Sequence, residues 1–153
     1  MKTFGGVVIG YLMMVAFVFL SFSIAYGIMG ADRAFQPGVY DVTSLWIITS
    51  FMLGLAGAIL GGYVCEAIAR EERAPKLLAV VVLLLGFAFA VPVLTTTSPS
   101  APREGAVSNA VAMQNAQQPP WVALLNPLFG AIGVLIGAGA RTGRSEAPSD
   151  PAA

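Results

Sequence analysis

The chain alternates between four long apolar runs and three polar connections. The runs cover about residues 4–29, 45–69, 77–95 and 121–140. A helix crosses the hydrocarbon core of a bilayer with about 20 residues, so each run is long enough to span it once. The pattern therefore predicts an all-α membrane protein, in which residues 1–141 form a bundle of four transmembrane helices and residues 142–153 a disordered cytoplasmic tail.

Composition supports this class. Of 153 residues, 57% are hydrophobic and only 10% are charged, whereas soluble domains average about 25% charged residues. Much of the surface must then face lipid, and the bilayer is the expected partner. The 8 basic and 8 acidic residues cancel, so the charge pattern of a nucleic-acid-binding protein is absent and no nucleic-acid partner is expected.

Catalytic chemistry is sparse. The chain has no histidine and one cysteine, Cys65, which removes the commonest general base and any multi-cysteine metal site. No nucleophile elbow, phosphate-binding loop or metal-ligand cluster can be found. We therefore expect no enzymatic activity, no catalytic residue, no metal and no cofactor.

The basic residues predict the orientation. Cytoplasmic ends of spans carry an excess of Lys and Arg. Two basic residues, Arg33 and Arg103, lie at one side of the predicted bundle, and six lie at the other: Lys2, Arg70, Arg73, Lys76, Arg141 and Arg144. Both termini are predicted to be cytoplasmic, in a multi-pass protein of the bacterial cytoplasmic (inner) membrane. A signal peptide is the competing interpretation of the first run, which far exceeds a signal peptide's apolar core of 7–15 residues.

The loop at residues 96–120 is predicted to be extracytoplasmic. It is rich in Ser, Thr, Pro, Asn and Gln and has too few large apolar residues to form a core of its own. Residues 106–117 could form a short helix on the mouth of the bundle, and disorder is the alternative.

Small residues mark the predicted helix interfaces. In lipid, helices associate through close backbone approach at small residues. The second span carries Gly54, Gly57, Ala58 and Gly61, and the fourth carries Gly130, Gly133 and Gly137. We predict that these two spans meet through these residues, with one face of the second span formed by Gly54, Ala58, Gly61 and Cys65. Gly61→Leu should therefore disrupt the bundle more than Leu60→Gly.

Two further patterns concern the packing. On the first span, the inward face is predicted to carry Gly6, Gly10, Phe17, Ser21 and Ile24. The segments at 57–61 and 133–137 resemble each other, since each begins and ends in glycine around apolar residues. A duplicated hairpin would explain the likeness, and so would the shared composition of glycine-rich membrane helices.

Three polar side chains within the runs are candidates for a polar site: Glu66, Asn126 and Ser50. Ionisable groups inside membrane spans are functional candidates because their burial is costly. Glu66, however, lies four residues before Arg70, a spacing that predicts an interfacial ion pair. The alternative is a proton- or cation-binding group. For Asn126 we expect a hydrogen bond to a neighbouring helix; alternatively, with Pro127, it opens the helix at a binding site.

Two stretches carry a resemblance. The segment from Gly61 to Arg70, with its Gly-Gly-Tyr-Val sequence, and the Pro119-Pro120-Trp121 entry to the fourth run resemble those of a group of small four-span bacterial inner-membrane proteins. The resemblance covers the four-span layout of most of the chain. Cys65 and Glu66 depart from the small or basic residues expected after Gly-Gly-Tyr-Val. It implies the fold and the membrane location and no activity.

Function is then expected from the surface rather than from catalytic groups. The interpretation that fits best is a non-enzymatic accessory or scaffold element of a membrane complex, or a homo-oligomer, in which one glycine face serves the bundle and another serves a partner. The alternative is a small transporter or channel subunit with Glu66, Ser50 and Asn126 along a polar path.

Overall fold

The computed structural model describes residues 2–95 and 101–145. This part of the chain forms six helices, and no β-strand is found in it: α1 (Lys2–Met29), α2 (Ala31–Ala34), α3 (Ser44–Ala69), α4 (Arg73–Thr95), α5 (Asn109–Asn115) and α6 (Pro120–Ser145). The predicted all-α class is confirmed. Helices α1, α3, α4 and α6 are long and apolar enough to cross a membrane, which supports a multi-pass membrane protein.

The C-terminal boundary differs from the prediction. Helix α6 continues to Ser145, so the first residues of the expected tail are helical. No proline lies between Pro127 and Pro148, and α6 continues past the apolar run through Gly143. The rest of the predicted tail lies outside the described residues.

Capping groups set the ends of α3. Its N-cap is Thr43, whose hydroxyl accepts a hydrogen bond from the backbone N–H of Trp46 at 3.2 Å, as capping threonines do. At the other end, Arg70 adopts a left-handed conformation with φ 54°, and its N–H donates to the Glu66 carbonyl at 2.9 Å. The chain then enters α4 at Arg73 after two residues. We call this end of the bundle the turn end, and the opposite end the loop end.

Helix α3 is the centre of the bundle, with extensive contacts to both α1 and α6, and α4 packs mainly on α6. Towards α1, a Cβ atom added to Gly61 would lie 2.8 Å from the carbonyl oxygen of Gly10, and one added to Gly10 would lie 2.8 Å from that of Gly61. Gly57 also faces α1, where an added Cβ would lie 2.9 Å from Val18. At these positions only glycine lets the two backbones touch.

Towards α6, the contact is closer still. A Cβ at Gly62 would overlap the carbonyl of Val134, and a Cβ at Gly137 would overlap that of Ile59. At Gly133, an added Cβ would lie 2.7 Å from the Cβ of Ala58. The second and fourth spans therefore do meet through small residues.

The predicted single small-residue face on α3 is wrong in detail. Gly61 faces α1 rather than α6, and Gly62 takes the place at the α6 interface that Gly61 was expected to occupy. The cause is that α3 packs against two helices at once, so its small residues divide between two sides. The spacing of residues along one helix cannot show how many neighbours share it.

Helix α1 follows its predicted inward face except at Ile24. Gly6 and Gly10 are buried, Phe17 lies against Gly57 of α3 and Ser21 is half-buried, whereas Ile24 is 62% exposed. Ile24 lies five full turns beyond Gly6, at about 3.6 residues per turn, and points in the same direction. Its exposure therefore shows that no helix of the described residues covers this face of α1 at the loop end.

A proline packs on a glycine between α4 and α6. Pro127 lies inside α6, and a Cβ added to Gly86 of α4 would lie 2.6 Å from its Cγ. Nearby, Gly130 faces α4, where an added Cβ would lie 2.8 Å from Val82. Gly130 thus serves the contact with α4 rather than the predicted one with α3.

Two loops at the loop end, residues 30–43 and the described residues 101–119, form a cap over the bundle. The backbone N–H of Val42 donates to the Gln117 carbonyl and that of Gln117 to the Tyr40 carbonyl, both at 3.0 Å. Tyr26, Phe35, Tyr40, Val42 and Ala112 share a buried apolar cluster there. The last loop was expected to form no core of its own, and its described residues instead share one core with the first loop and the end of α1. Of the two alternatives for residues 106–117, the short helix is present, as α5.

The backbone contacts between α3 and α6 predict opposite effects at two kinds of glycine. Gly62→Ala and Gly137→Ala should each lower the free energy of unfolding by about 1–3 kcal/mol, because an added methyl group must push the helices apart. Gly54→Ala, which meets no atom within 4 Å, should raise it by about 0.5–1 kcal/mol through helix propensity. Reversible unfolding in mixed micelles measures all three, and equal effects at Gly54 and Gly62 would contradict the packing described.

Candidate binding cavity

A cavity of about 550 Å³ lies in the loop-end half of the bundle, within the size range of small-molecule sites. All four long helices line it, and α5 covers it on the side of the cap. Its walls are mostly apolar and aromatic, and among the described residues no Asp, Glu, Lys or Arg lines it.

The cavity exists because the contact residues change in size along the helices. At the turn end, α3 touches its neighbours through glycine and alanine. At the loop end, Phe51 of α3 packs against Trp121 and Phe129 of α6, with ring centroids 6.3 and 5.1 Å apart. Between α1 and α3, Phe22 and Trp46 meet edge to face at 6.0 Å. At the loop end, large rings hold the helix axes apart, whereas small residues at the turn end let the helices touch. The bundle therefore opens towards the cap.

Gly54 lies on the open side of this change. It lines the cavity, and no atom lies within 4 Å of a Cβ built there. Its predicted role in helix packing is therefore not what the structure shows: the aromatic residues one turn away keep α6 at a distance. Gly54 widens the cavity instead.

Asn126 and Pro127 place two polar features next to each other in the cavity wall. The Asn126 side chain makes no hydrogen bond within residues 2–95 and 101–145, so the expected bond to a neighbouring helix is absent. Pro127 has no N–H to donate to the carbonyl of Ala123, four residues earlier. Ala123 also lines the cavity. An amide and a released carbonyl thus lie one turn apart within a membrane-spanning helix, where unsatisfied polar groups are costly.

Ser50 contributes a further oxygen from α3. Its hydroxyl donates to the carbonyl of Ile47 at 2.8 Å, which leaves the hydroxyl oxygen free to accept a hydrogen bond. Of the three predicted polar residues, Ser50 and Asn126 therefore line one cavity.

Glu66 lies elsewhere. It is 16 residues beyond Ser50 on the same helix, which is about 24 Å at 1.5 Å per residue. With Arg70, Arg141 and Thr142 it lines a smaller cavity of about 350 Å³ at the turn end. The predicted ion pair from Glu66 to Arg70 is not formed, because Arg70 leaves the helix in its left-handed conformation.

Arg103 joins the two loops of the cap, a role that no feature of the sequence around it indicates. Its guanidinium is nearly buried, donates to the Gly105 carbonyl at 2.6 Å and pairs with Asp32 at 3.2 Å. It also lies 6.0 Å from the centre of the Phe35 ring. A single arginine in a polar loop is normally solvated, so only the structure shows that it joins the two loops.

Two more hydrogen bonds fix the cap to α1. The Tyr26 hydroxyl donates to the Val107 carbonyl at 2.8 Å, and the Asn109 amide donates to the Ser23 hydroxyl at 2.9 Å. Both bonds lie at or next to α5, which has few contacts with the long helices. The cover of the cavity is therefore held mainly by these bonds and by the loop pairing.

The described residues contain no group of three or more His, Cys, Asp or Glu side chains that could hold a metal ion. No protein-family model matches the chain, and no curated protein or solved structure is significantly similar to it. The resemblance to small four-span membrane proteins is thus supported at the level of layout alone, by the four apolar helices.

The role of Arg103 predicts a local effect of its loss. Arg103→Ala should speed amide hydrogen exchange at 30–43 and 101–117 by about tenfold or more, because charge-assisted hydrogen bonds contribute about 1.5–3 kcal/mol. The long helices should keep their protection. Arg33→Ala, at an exposed position in the same cap, is the matched control and should leave exchange unchanged. Equal exchange in both variants would show that Arg103 does not hold the cap.

Proposed function

We propose that the chain is a non-enzymatic protein of the bacterial cytoplasmic membrane that serves as an accessory or scaffold element of a membrane complex or as a homo-oligomer. The main support is the exposure of α1. Only 6% of its most apolar stretch is buried in the chain, against 44% in α6. One whole side of α1 is therefore available to a helix of another subunit.

The partner surface differs from the one that the sequence suggested. Both small-residue sides of α3 are occupied within the chain, by α1 and by α6. A spare glycine face on α3 for a partner is not present. What α1 offers instead is a stripe of large residues at four- and three-residue spacing: Val8, Leu12, Val15 and Phe19, all exposed. This spacing is typical of a left-handed helix pair.

The orientation follows the charge rule. We place the turn end in the cytoplasm and the cap outside, because the turn end carries most of the Lys and Arg residues near the span ends. The cap would then shield the mouth of the cavity on the outer face.

A small transporter is the second candidate, favoured by the uncharged polar groups in the cavity. A permanently open channel is disfavoured by the packing. Gly62 against Val134 and Gly137 against Ile59 leave no gap between α3 and α6 at the turn end. A carrier would have to separate these helices during each cycle.

Site-specific photocrosslinking tests the accessory role. A benzoyl-phenylalanine at Leu12 should give one discrete protein adduct in the native membrane, identified by mass spectrometry as a partner or a second copy. The same group at Leu84 of α4, which is 67% exposed, should give lipid adducts alone. Lipid adducts at both positions, with a monomer in native mass spectrometry, would contradict the proposal.

Proteoliposomes separate the two candidates. The accessory role predicts no flux of ions or small solutes above that of protein-free vesicles. Flux that Asn126→Leu abolishes would instead favour the transporter.

A further inference from the structure

The cavity at the loop end contains the strongest unexplained feature of the molecule: the exposed Asn126 side chain lies one turn from the Ala123 carbonyl, whose usual helical donor is replaced by Pro127. Asn126 is within α6, about 9 Å from the start of that helix at Pro120 by the helical rise. At this depth the surroundings are apolar: Phe51, Phe89 and Phe129 line the same cavity. An amide placed there without a protein partner requires a hydrogen-bonding partner from elsewhere.

The chemistry of the wall restricts that partner. No charged side chain of the described residues lines the cavity, so a charged ligand group would be desolvated without compensation. The carbonyl of Ala123 and the hydroxyl oxygen of Ser50 accept hydrogen bonds, and the Asn126 amide both donates and accepts. Tyr11, Trp46 and Gln118, which also line the cavity, add donors, so the wall offers both donors and acceptors. A ligand hydroxyl, which donates one hydrogen bond and accepts others, satisfies this set better than a carbonyl or an ether oxygen.

The shape of the cavity points to a ligand that arrives from the bilayer. Phe89 lines the cavity and is also 73% exposed on the side of α4. The cavity wall is thus continuous with the lipid-facing surface. A ligand can place its polar end at Asn126 and leave an apolar chain along α4, and it need not pass through the cap.

We propose that this cavity binds a neutral lipid alcohol, a molecule with a free hydroxyl group on an apolar body, with the hydroxyl held between Asn126 and the Ala123 carbonyl. Aqueous small molecules and phospholipid headgroups are excluded by the apolar, uncharged wall. This inference does not rest on the accessory role, since a scaffold and a carrier could equally hold such a lipid.

Fluorescence quenching tests the site in nanodiscs. Trp46 lines the cavity, and Trp121→Phe leaves it as the single tryptophan. Brominated diacylglycerol should quench Trp46 saturably at low mole fraction, whereas brominated phosphatidylcholine should quench only in proportion to its amount. The O-methyl ether of the same diacylglycerol should bind about five- to tenfold more weakly, the value of about one hydrogen bond.

Two variants locate the binding within the cavity. Asn126→Leu should weaken diacylglycerol binding about five- to tenfold and remove the preference over the methyl ether. Asn115→Leu, an asparagine of α5 outside the cavity lining whose amide bonds to Val111, is the matched control and should keep both. Gly54→Phe should block binding while the protein stays folded, because open space lies in front of Gly54.

Each remaining outcome decides against the proposal. Equal binding of the diacylglycerol and its methyl ether by the unaltered protein would overturn hydroxyl recognition. This result does not depend on the folding of any variant. Quenching by phosphatidylcholine equal to that by diacylglycerol would show annular lipid only. Undiminished binding by Gly54→Phe, with its thermal melting unchanged, would place the lipid outside the cavity.

Discussion

Direct contact between helix backbones at glycine is the constraint on which the rest of this structure depends. Lipid supplies no hydrophobic force that joins apolar helices, so association rests on dispersion and close approach. At the turn end, Gly10 and Gly61 bring α1 onto α3, and Gly62 and Gly137 bring α3 onto α6. These contacts fix α3 as the central helix. They also close one half of the bundle completely.

The open half follows from the same helices with larger residues. Phe51, Trp46 and Trp121 occupy the interfaces nearer the cap, and the axes separate. The separation leaves a cavity that Gly54 enlarges and to which Ser50 and Asn126 contribute polar groups. The cap then covers the opening through loop pairing and through Arg103. A gradient of side-chain size along three helices thus gives the molecule both its stability and its candidate site.

The sequence predicted the spans well and the contacts only partly. Length and apolarity alone located α1, α3, α4 and α6, because a bilayer imposes both. Small-residue spacing correctly indicated that α3 meets α6, yet it could not distinguish Gly61 from Gly62, since neighbouring residues on a helix differ by only about 100° in direction. Asn126 was predicted as a candidate for a polar site. Whether its side chain reaches a hydrogen-bonding partner on another helix depends on the distance between the helices, which the sequence does not show. A short helix within 106–117 was one of the two alternatives predicted for the last loop, but the buried core of the cap could not be predicted, because three separate segments of the chain share it.

Interhelical carbon–carbon correlations in bilayers, measured by solid-state nuclear magnetic resonance, test this account most directly. The account predicts strong correlations from the Gly62 Cα to Val134 and from the Gly137 Cα to Ile59, with none from the Gly54 Cα to α1 or α6. Correlations of similar strength at Gly54 and Gly62 would mean that the helices pack evenly along their length, and neither the closed half nor the cavity would then exist as described.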